Sequence, residues 1–133
     1  MKRFYHCPRC GTRLNPNVKI ILKAEIGDRR GLLLLSPQPG NYQIIASESL
    51  RPVEGEMTDL FCPMCQVNLV SEVDDHLAEL AYKTDQGGEG RVVFSRVFGE
   101  HATYVLNEES VRSYGENAGA YSASNFFGEG GEE

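Results

Sequence analysis

Tryptophan is absent from this chain of 133 residues, and long hydrophobic runs are absent as well. The longest apolar run, Leu32 to Leu35, is far too short to cross a bilayer, so we expect no membrane partner. No apolar stretch follows Met1, and the sequence therefore predicts a cytoplasmic protein rather than an exported one. In a reducing compartment, cysteines that occur in pairs favour a metal ion over disulfides.

All four cysteines lie in two copies of one short pattern, Cys-Pro-Arg-Cys at positions 7–10 and Cys-Pro-Met-Cys at 62–65. A tight turn can offer two thiols at this spacing to one metal ion. Structural zinc takes four ligands in a tetrahedron, and a site filled by four thiolates has no open position for water. We therefore predict one architectural metal site, with the ligands Cys7, Cys10, Cys62 and Cys65.

These patterns resemble the knuckles of zinc-ribbon proteins, which share them with rubredoxins. The resemblance covers positions 7–11 and 62–65, and it implies backbone N–H groups directed at the sulfurs in each knuckle. Gln66 stands where the first knuckle has Gly11, so it must either take a positive φ or turn differently. The 51 residues between the two pairs are long for a simple ribbon and imply strands inserted between the knuckles.

Zinc is the expected ion, and iron is the alternative. Iron in the same cage of four sulfurs would make the protein an electron carrier, and the ligand set accepts both metals. The long insertion and the absence of tryptophan favour zinc. We expect His6, His76 and His101 to lie at the surface or in hydrogen bonds, because four thiols already close the site.

Charge is distributed unevenly along the chain. Residues 1–30 hold eight of the thirteen Lys and Arg residues but only two of the nineteen acidic residues. A basic binding face on an acidic body is one interpretation, and neutralisation of the two parts within the fold is the other. The first interpretation predicts a nucleic-acid-binding zinc ribbon that uses Arg9, Arg13, Lys19, Lys23, Arg29 and Arg30.

Hydrophobic periodicity predicts a mainly β fold. The alternation over 18–26, the short apolar run 32–35, which we expect to be buried on both faces, and the segment 42–46 predict three strands of a β-meander inserted between the knuckles. Residues 72–83 fit either a helix or part of a hairpin around the glycine-rich loop 85–90, and the hairpin is favoured. We predict a further strand at 103–106.

A single short helix is predicted near the C-terminus, over 108–114 with Asn107 as its N-cap. We place one domain at 1–114 and a glycine-rich acidic tail at 115–133. The tail has four acidic residues and no basic residue, so we expect it to be flexible. Aromatic side chains in such a tail can dock into a partner protein or pack back on the chain's own sheet, and the candidates are Tyr121, Phe126 and Phe127.

No arrangement of residues typical of catalysis stands out. Ser95 and His101 lack a partner motif, as does the acidic pair Asp74 and Asp75. The function favoured by the sequence is therefore that of a protein-binding adaptor or accessory subunit with a structural metal site. Nucleic-acid binding and electron transfer through iron remain the alternatives.

Overall fold

The computed structural model describes residues 2–107 and 110–121, without the side chains of residues 120 and 121. The described residues form nine β-strands, which confirms the mainly β fold class. The strands are β1 (Arg3–His6), β2 (Ile20–Ile26), β3 (Arg29–Leu35), β4 (Ile44–Ala46), β5 (Asp59–Phe61), β6 (Leu77–Thr84), β7 (Glu89–Ser95), β8 (Thr103–Leu106) and β9 (Val111–Tyr114). A 3-10 helix, Ala118–Tyr121, follows β9. Within the described ranges, no helix is long and apolar enough to span a membrane.

The strands make two antiparallel sheets, a five-stranded sheet in the order β1-β6-β7-β8-β9 and a four-stranded sheet in the order β4-β3-β2-β5. Residues from both sheets share one buried core, which includes Leu22 and Leu60 from the four-stranded sheet and Leu80 and Val92 from the five-stranded sheet. The two sheets therefore pack face to face, an arrangement that the sequence did not predict.

The predicted β-meander between the knuckles is confirmed, because β2, β3 and β4 pair in chain order. Alternate positions of β2 from Ile20 to Ile26 are buried, while Lys23 between them is exposed, as the alternation predicts. The turn after β2 is tight, since Ile26 pairs directly with Arg29. Gly27 has a φ of 61° in this turn, a conformation that glycine adopts without strain.

The outer face of the four-stranded sheet carries an apolar row. Ile21, Leu34 and Ile45 lie directly opposite one another on β2, β3 and β4, and we call these three residues the outer row. Ile45 is 55% exposed, and the nearby Leu32 is 44% exposed. The prediction that β3 is buried on both faces is therefore wrong. An antiparallel sheet commonly packs one face against the core and leaves the other face in contact with solvent.

The hairpin favoured for the second half of the chain is confirmed. Strands β6 and β7 pair from Leu77 with Ser95 to Lys83 with Glu89, so the helical alternative for residues 77–83 is wrong. Leu77 is buried on one face of the sheet, and Ala78 and Leu80 are buried on the other. Because both faces are covered, the apolar positions of this strand are spaced as in a helix over a short window. The predicted strand 103–106 is confirmed as β8.

The predicted C-terminal helix is wrong over residues 111–114, which form strand β9, while residues 108 and 109 lie outside the described ranges. Strand β9 pairs with β8 from Thr103 with Tyr114 to Leu106 with Val111. The Asn107 side chain accepts a hydrogen bond from the N–H of Ser110 at 2.9 Å, as an N-cap would, but here it closes a hairpin turn. A helix of seven residues has little stability of its own, so pairing with a sheet edge outweighs it.

The other face of the five-stranded sheet has a smaller core of its own. It includes Leu77, Val93, Tyr104 and Leu106, and the buried Ala118 packs against it. The Tyr104 hydroxyl donates a hydrogen bond to the Ala118 carbonyl. The first residues of the predicted tail therefore contact the domain, and residues 122–133 lie outside the described ranges.

Candidate metal centre

Each cysteine pair lies in a tight turn directly after a strand. The first turn follows β1, and its backbone is closed by hydrogen bonds from the N–H of Gly11 to the Cys7 carbonyl at 3.0 Å and from the N–H of Cys7 to the Thr12 carbonyl at 2.9 Å. The N–H groups of Arg9 and Cys10 point at the Cys7 sulfur at 3.4 and 3.5 Å. Backbone N–H groups in this position favour the thiolate form.

The second turn, after β5, repeats these bonds at the equivalent positions. The N–H of Gln66 donates to the Cys62 carbonyl at 3.0 Å, and the N–H of Cys62 donates to the Val67 carbonyl at 3.0 Å. Here the N–H groups of Met64 and Cys65 point at the Cys62 sulfur at 3.3 and 3.4 Å. The knuckle geometry that the resemblance implied is therefore present twice.

Gln66 takes the first of the two conformations expected for it. Its φ is 68°, close to the 77° of the equivalent Gly11. A left-handed conformation is unfavourable for a residue with a Cβ atom. The side chain is anchored, because its oxygen accepts a hydrogen bond from Lys23 Nζ at 2.7 Å and its nitrogen donates to the Pro63 carbonyl at 3.2 Å.

The four sulfurs form one cluster in which all lie within 4.8 Å of one another. A metal ion bound tetrahedrally at about 2.3 Å from each sulfur requires sulfurs about 3.8 Å apart. The Cys7 and Cys65 sulfurs are 3.8 Å apart, and the Cys10 and Cys62 sulfurs are 3.7 Å apart. All four cysteines are free, so the sulfurs fit a four-coordinate metal ion and do not form disulfides.

The cluster joins the two sheets. Cys7 and Cys10 follow β1, an edge strand of the five-stranded sheet, whereas Cys62 and Cys65 follow β5, an edge strand of the four-stranded sheet. Beyond each knuckle the chain returns to the strand it left, since Leu14 donates a hydrogen bond to Tyr5 and Leu69 donates one to Leu60. A metal ion in the cluster would link both sheets at one edge.

The thiols do not share one pKa. Burial alone would raise the pKa of Cys62, but the N–H groups of Cys65 and Met64, helped by the neighbouring thiols, lower it to about 7. At Cys10 the N–H of Thr12 lowers the pKa, but desolvation and the other sulfurs outweigh this and raise it to about 11. Burial also raises the pKa of Cys7. Without a metal ion, this cluster holds protons that the ion must displace.

Four of the six basic residues proposed for nucleic-acid binding, Arg13, Lys23, Arg29 and Arg30, have side-chain partners of several kinds, whereas no such partner is found for Arg9 and Lys19 within the described residues. Arg29 Nη2 lies 2.5 Å from a Glu56 carboxylate oxygen, and Arg30 Nε lies 3.6 Å from Glu25. The Arg13 guanidinium lies over the Phe4 ring, 4.4 Å from its centroid. These contacts engage several of the basic groups within the fold itself.

Ser95, His76 and His101 are not part of the sulfur cluster. Ser95 donates a hydrogen bond to a Glu100 carboxylate oxygen at 2.6 Å, whereas His101 stacks on Tyr42 with ring centroids 4.3 Å apart, so the two side chains have different partners. His76 Nδ1 lies 3.1 Å from Asp74 in the turn before β6.

The predicted role of the three aromatic residues of the tail in partner binding stays a prediction. Phe126 and Phe127 lie outside the described ranges, and for Tyr121 only the backbone is described.

Sequence reasoning missed the way in which the knuckles join two sheets. Hydrophobic periodicity shows that a strand has a buried face, but it does not show which other strand covers that face. The fold and the cluster together define a mainly β protein of two packed sheets with a four-cysteine metal-binding site. The chain matches no family model, no curated protein and no solved structure.

Proposed function

We propose that this chain is a small protein with one structural zinc ion that acts by binding another protein, as an adaptor or as an accessory subunit of a larger complex. The observation that carries the structural role of the metal is the cluster of four sulfurs between β1 and β5. Four thiolates complete the coordination of zinc, so the ion stabilises the fold and leaves no position for a substrate.

The protein-binding role is supported by the outer row and its surroundings. Ile21, Leu34 and Ile45 form a continuous apolar strip across three strands, and Leu32 extends it. Exposed apolar side chains that are contiguous are typical of interaction sites, whereas isolated ones are common on any surface. We propose this strip as the docking surface, with the aromatic residues of the tail, Tyr121, Phe126 and Phe127, as a second contact.

Nucleic-acid binding receives no comparable support. Arg29 and Arg30 are paired with carboxylates, and Lys23 donates a hydrogen bond to the Gln66 side chain. Non-specific binding to a phosphate backbone depends on basic groups that are available to it.

Quantitative affinity capture tests the docking surface. The intact chain, an Ile45→Lys variant and a Phe126→Ala/Phe127→Ala variant would be immobilised, and the retained proteins compared by mass spectrometry. We expect one specific partner to be lost with Ile45→Lys. Val53→Lys is the matched control, because Val53 is 58% exposed but lies outside the strip. Loss of the partner with both lysine variants, or with neither, contradicts the assignment.

The identity of the metal is tested on the same purified chain. Metal analysis should find about one zinc ion per chain, and the protein should be colourless. Strong visible absorption from iron bound by thiolates would instead favour the electron carrier.

A further inference from the structure

A cleft opens between the two sheets. Its volume is about 310 Å³, within the range of small-molecule sites. Apolar side chains from both sheets line it, among them Leu33 and Leu35 of β3, and Val92 and Phe94 of β7. Residues 36–43 and 96–102 also contribute to the lining. A lining drawn from two different sheets can exist only in the folded sandwich.

Among the buried residues of this lining, Thr58 has a hydroxyl without a hydrogen-bond partner in the described part of the chain. Thr58 is 5% exposed and lines the cleft. It lies two residues before the buried Leu60, so its side chain is on the same inner face. Within the described part of the chain, the N–H of Thr58 donates to the Arg96 carbonyl at 2.9 Å, but its hydroxyl makes no hydrogen bond. The hydroxyl oxygen is not fully enclosed by protein atoms, so it is open to a hydrogen bond with a molecule in the cleft.

The charges around the cleft narrow the class of that molecule. Arg96 is only 8% exposed, and its guanidinium is held 2.7 Å from Asp59 and 3.0 Å from the Asp75 carbonyl, so its charge is already compensated. Glu54 and Glu100 add negative charge to the lining. An anionic ligand would meet two carboxylates and no uncompensated cation in this lining, and an unpaired charge is costly to bury.

We propose that the cleft binds a small, uncharged and mostly hydrophobic molecule whose single hydrogen-bonding group pairs with the hydroxyl of Thr58. The apolar lining supplies affinity through burial of hydrophobic surface, and Thr58 supplies orientation. This site is separate from the outer row, which lies on the opposite face of the four-stranded sheet. The proposal therefore stands independently of the protein-binding role.

Binding is tested by titrating the full, zinc-loaded chain with three related probes, naphthalene, 2-naphthol and 2-naphthoate, and following backbone amide signals by NMR. We expect saturable shifts at Thr58, Leu35 and Phe94, with 2-naphthol bound more tightly than 2-naphthoate. Thr58→Val keeps the shape of the side chain but removes the hydroxyl, and should weaken 2-naphthol binding by about two- to tenfold without affecting naphthalene. Thr58→Ser keeps the hydroxyl and should retain the preference for 2-naphthol over naphthalene.

Several results would overturn the proposal. The first is the absence of saturable shifts, or shifts confined to another surface. The second is equal binding of 2-naphthol by the wild-type chain and Thr58→Val. Tighter binding of 2-naphthoate would show that the site selects anions.

Discussion

Gly11 and Gln66 occupy equivalent positions in the two knuckles and have the same left-handed backbone conformation. Only Gly11 adopts this conformation without strain, because glycine has no Cβ atom. A Cβ atom added at Gly11 would meet nothing within 4 Å, so the cost of a side chain there comes from the backbone alone. The two positions therefore permit a paired experiment on backbone strain.

We expect Gly11→Ala to lower the free energy of unfolding by about 1 kcal/mol, because alanine is strained at a positive φ. The reverse change, Gln66→Gly, relieves this strain, but it also removes the hydrogen bonds of the Gln66 side chain to Lys23 and Pro63 and adds entropy to the unfolded chain, so we expect no net gain. Denaturant unfolding of the zinc-loaded chain measures both changes. Stabilisation by Gly11→Ala would show that the knuckle does not require this conformation.

Tyr5 predicts a loss of stability at high pH. Its side chain is buried, its hydroxyl donates to the Pro37 carbonyl at 2.5 Å, and burial raises its pKa to about 12 from the ordinary 10.0. The unfolded chain loses this proton at a lower pH than the folded chain, so stability declines as pH rises from about 10 to 12, by about 2 kcal/mol in total. Tyr5→Phe should make this decline shallower, and an unchanged decline would contradict the assignment.

The cysteine pKa values predict how metal affinity depends on pH. Zinc binds thiolates, whereas Cys10, with a pKa of about 11, and Cys7, whose pKa is raised, are protonated at pH 7 in the metal-free chain. Binding must release at least these two protons, so affinity should rise by about 100-fold or more per pH unit near neutrality. Competition with a chelator of known affinity measures the slope. A slope of tenfold or less per pH unit would mean that one of these thiols is not a ligand.

Strands β1 and β5 belong to different sheets. The cysteines that follow these two strands form one sulfur cluster, which joins the sheets. Binding of a structural zinc ion can contribute on the order of 10 kcal/mol to folding, as much as the whole stability of a small domain. We expect removal of zinc by a chelator to abolish protection from hydrogen exchange in both sheets, beginning at β1 and β5. Cys62→Ser should have the same effect with zinc present. Retention of protection in both sheets would show that the sandwich is stable without the ion.

Some strands could be predicted from their own residues, and others could not. Strand β2 was predictable because its alternation is long and one face is polar at Lys23. Strand β9 was not, since Val111–Tyr114 is short and mostly exposed, and only its pairing with β8 makes it a strand. The cysteine ligands were predictable from spacing, because a knuckle is a local structure. The cleft was not, because its lining comes from both sheets.

The metal cluster and the cleft share structural elements. Tyr5 and Leu60 each lie two residues before the first cysteine of a knuckle, and both line the cleft. A metal ion that fixes the two knuckles therefore also fixes two residues of the cleft lining. The ligand site proposed above is expected to depend on the metal for this reason.

We expect metal and ligand binding to be coupled in both directions. Removal of zinc should weaken 2-naphthol binding by about tenfold or more, and a saturating concentration of 2-naphthol should raise zinc affinity by the same factor, because coupling between two sites is reciprocal. Calorimetric titration of 2-naphthol into zinc-loaded and zinc-free chain gives the first factor, and chelator competition with and without 2-naphthol gives the second. Thr58→Val is the control, since it should lower 2-naphthol affinity while leaving zinc affinity without 2-naphthol unchanged. Equal 2-naphthol affinity with and without zinc would show that the cleft forms independently of the metal.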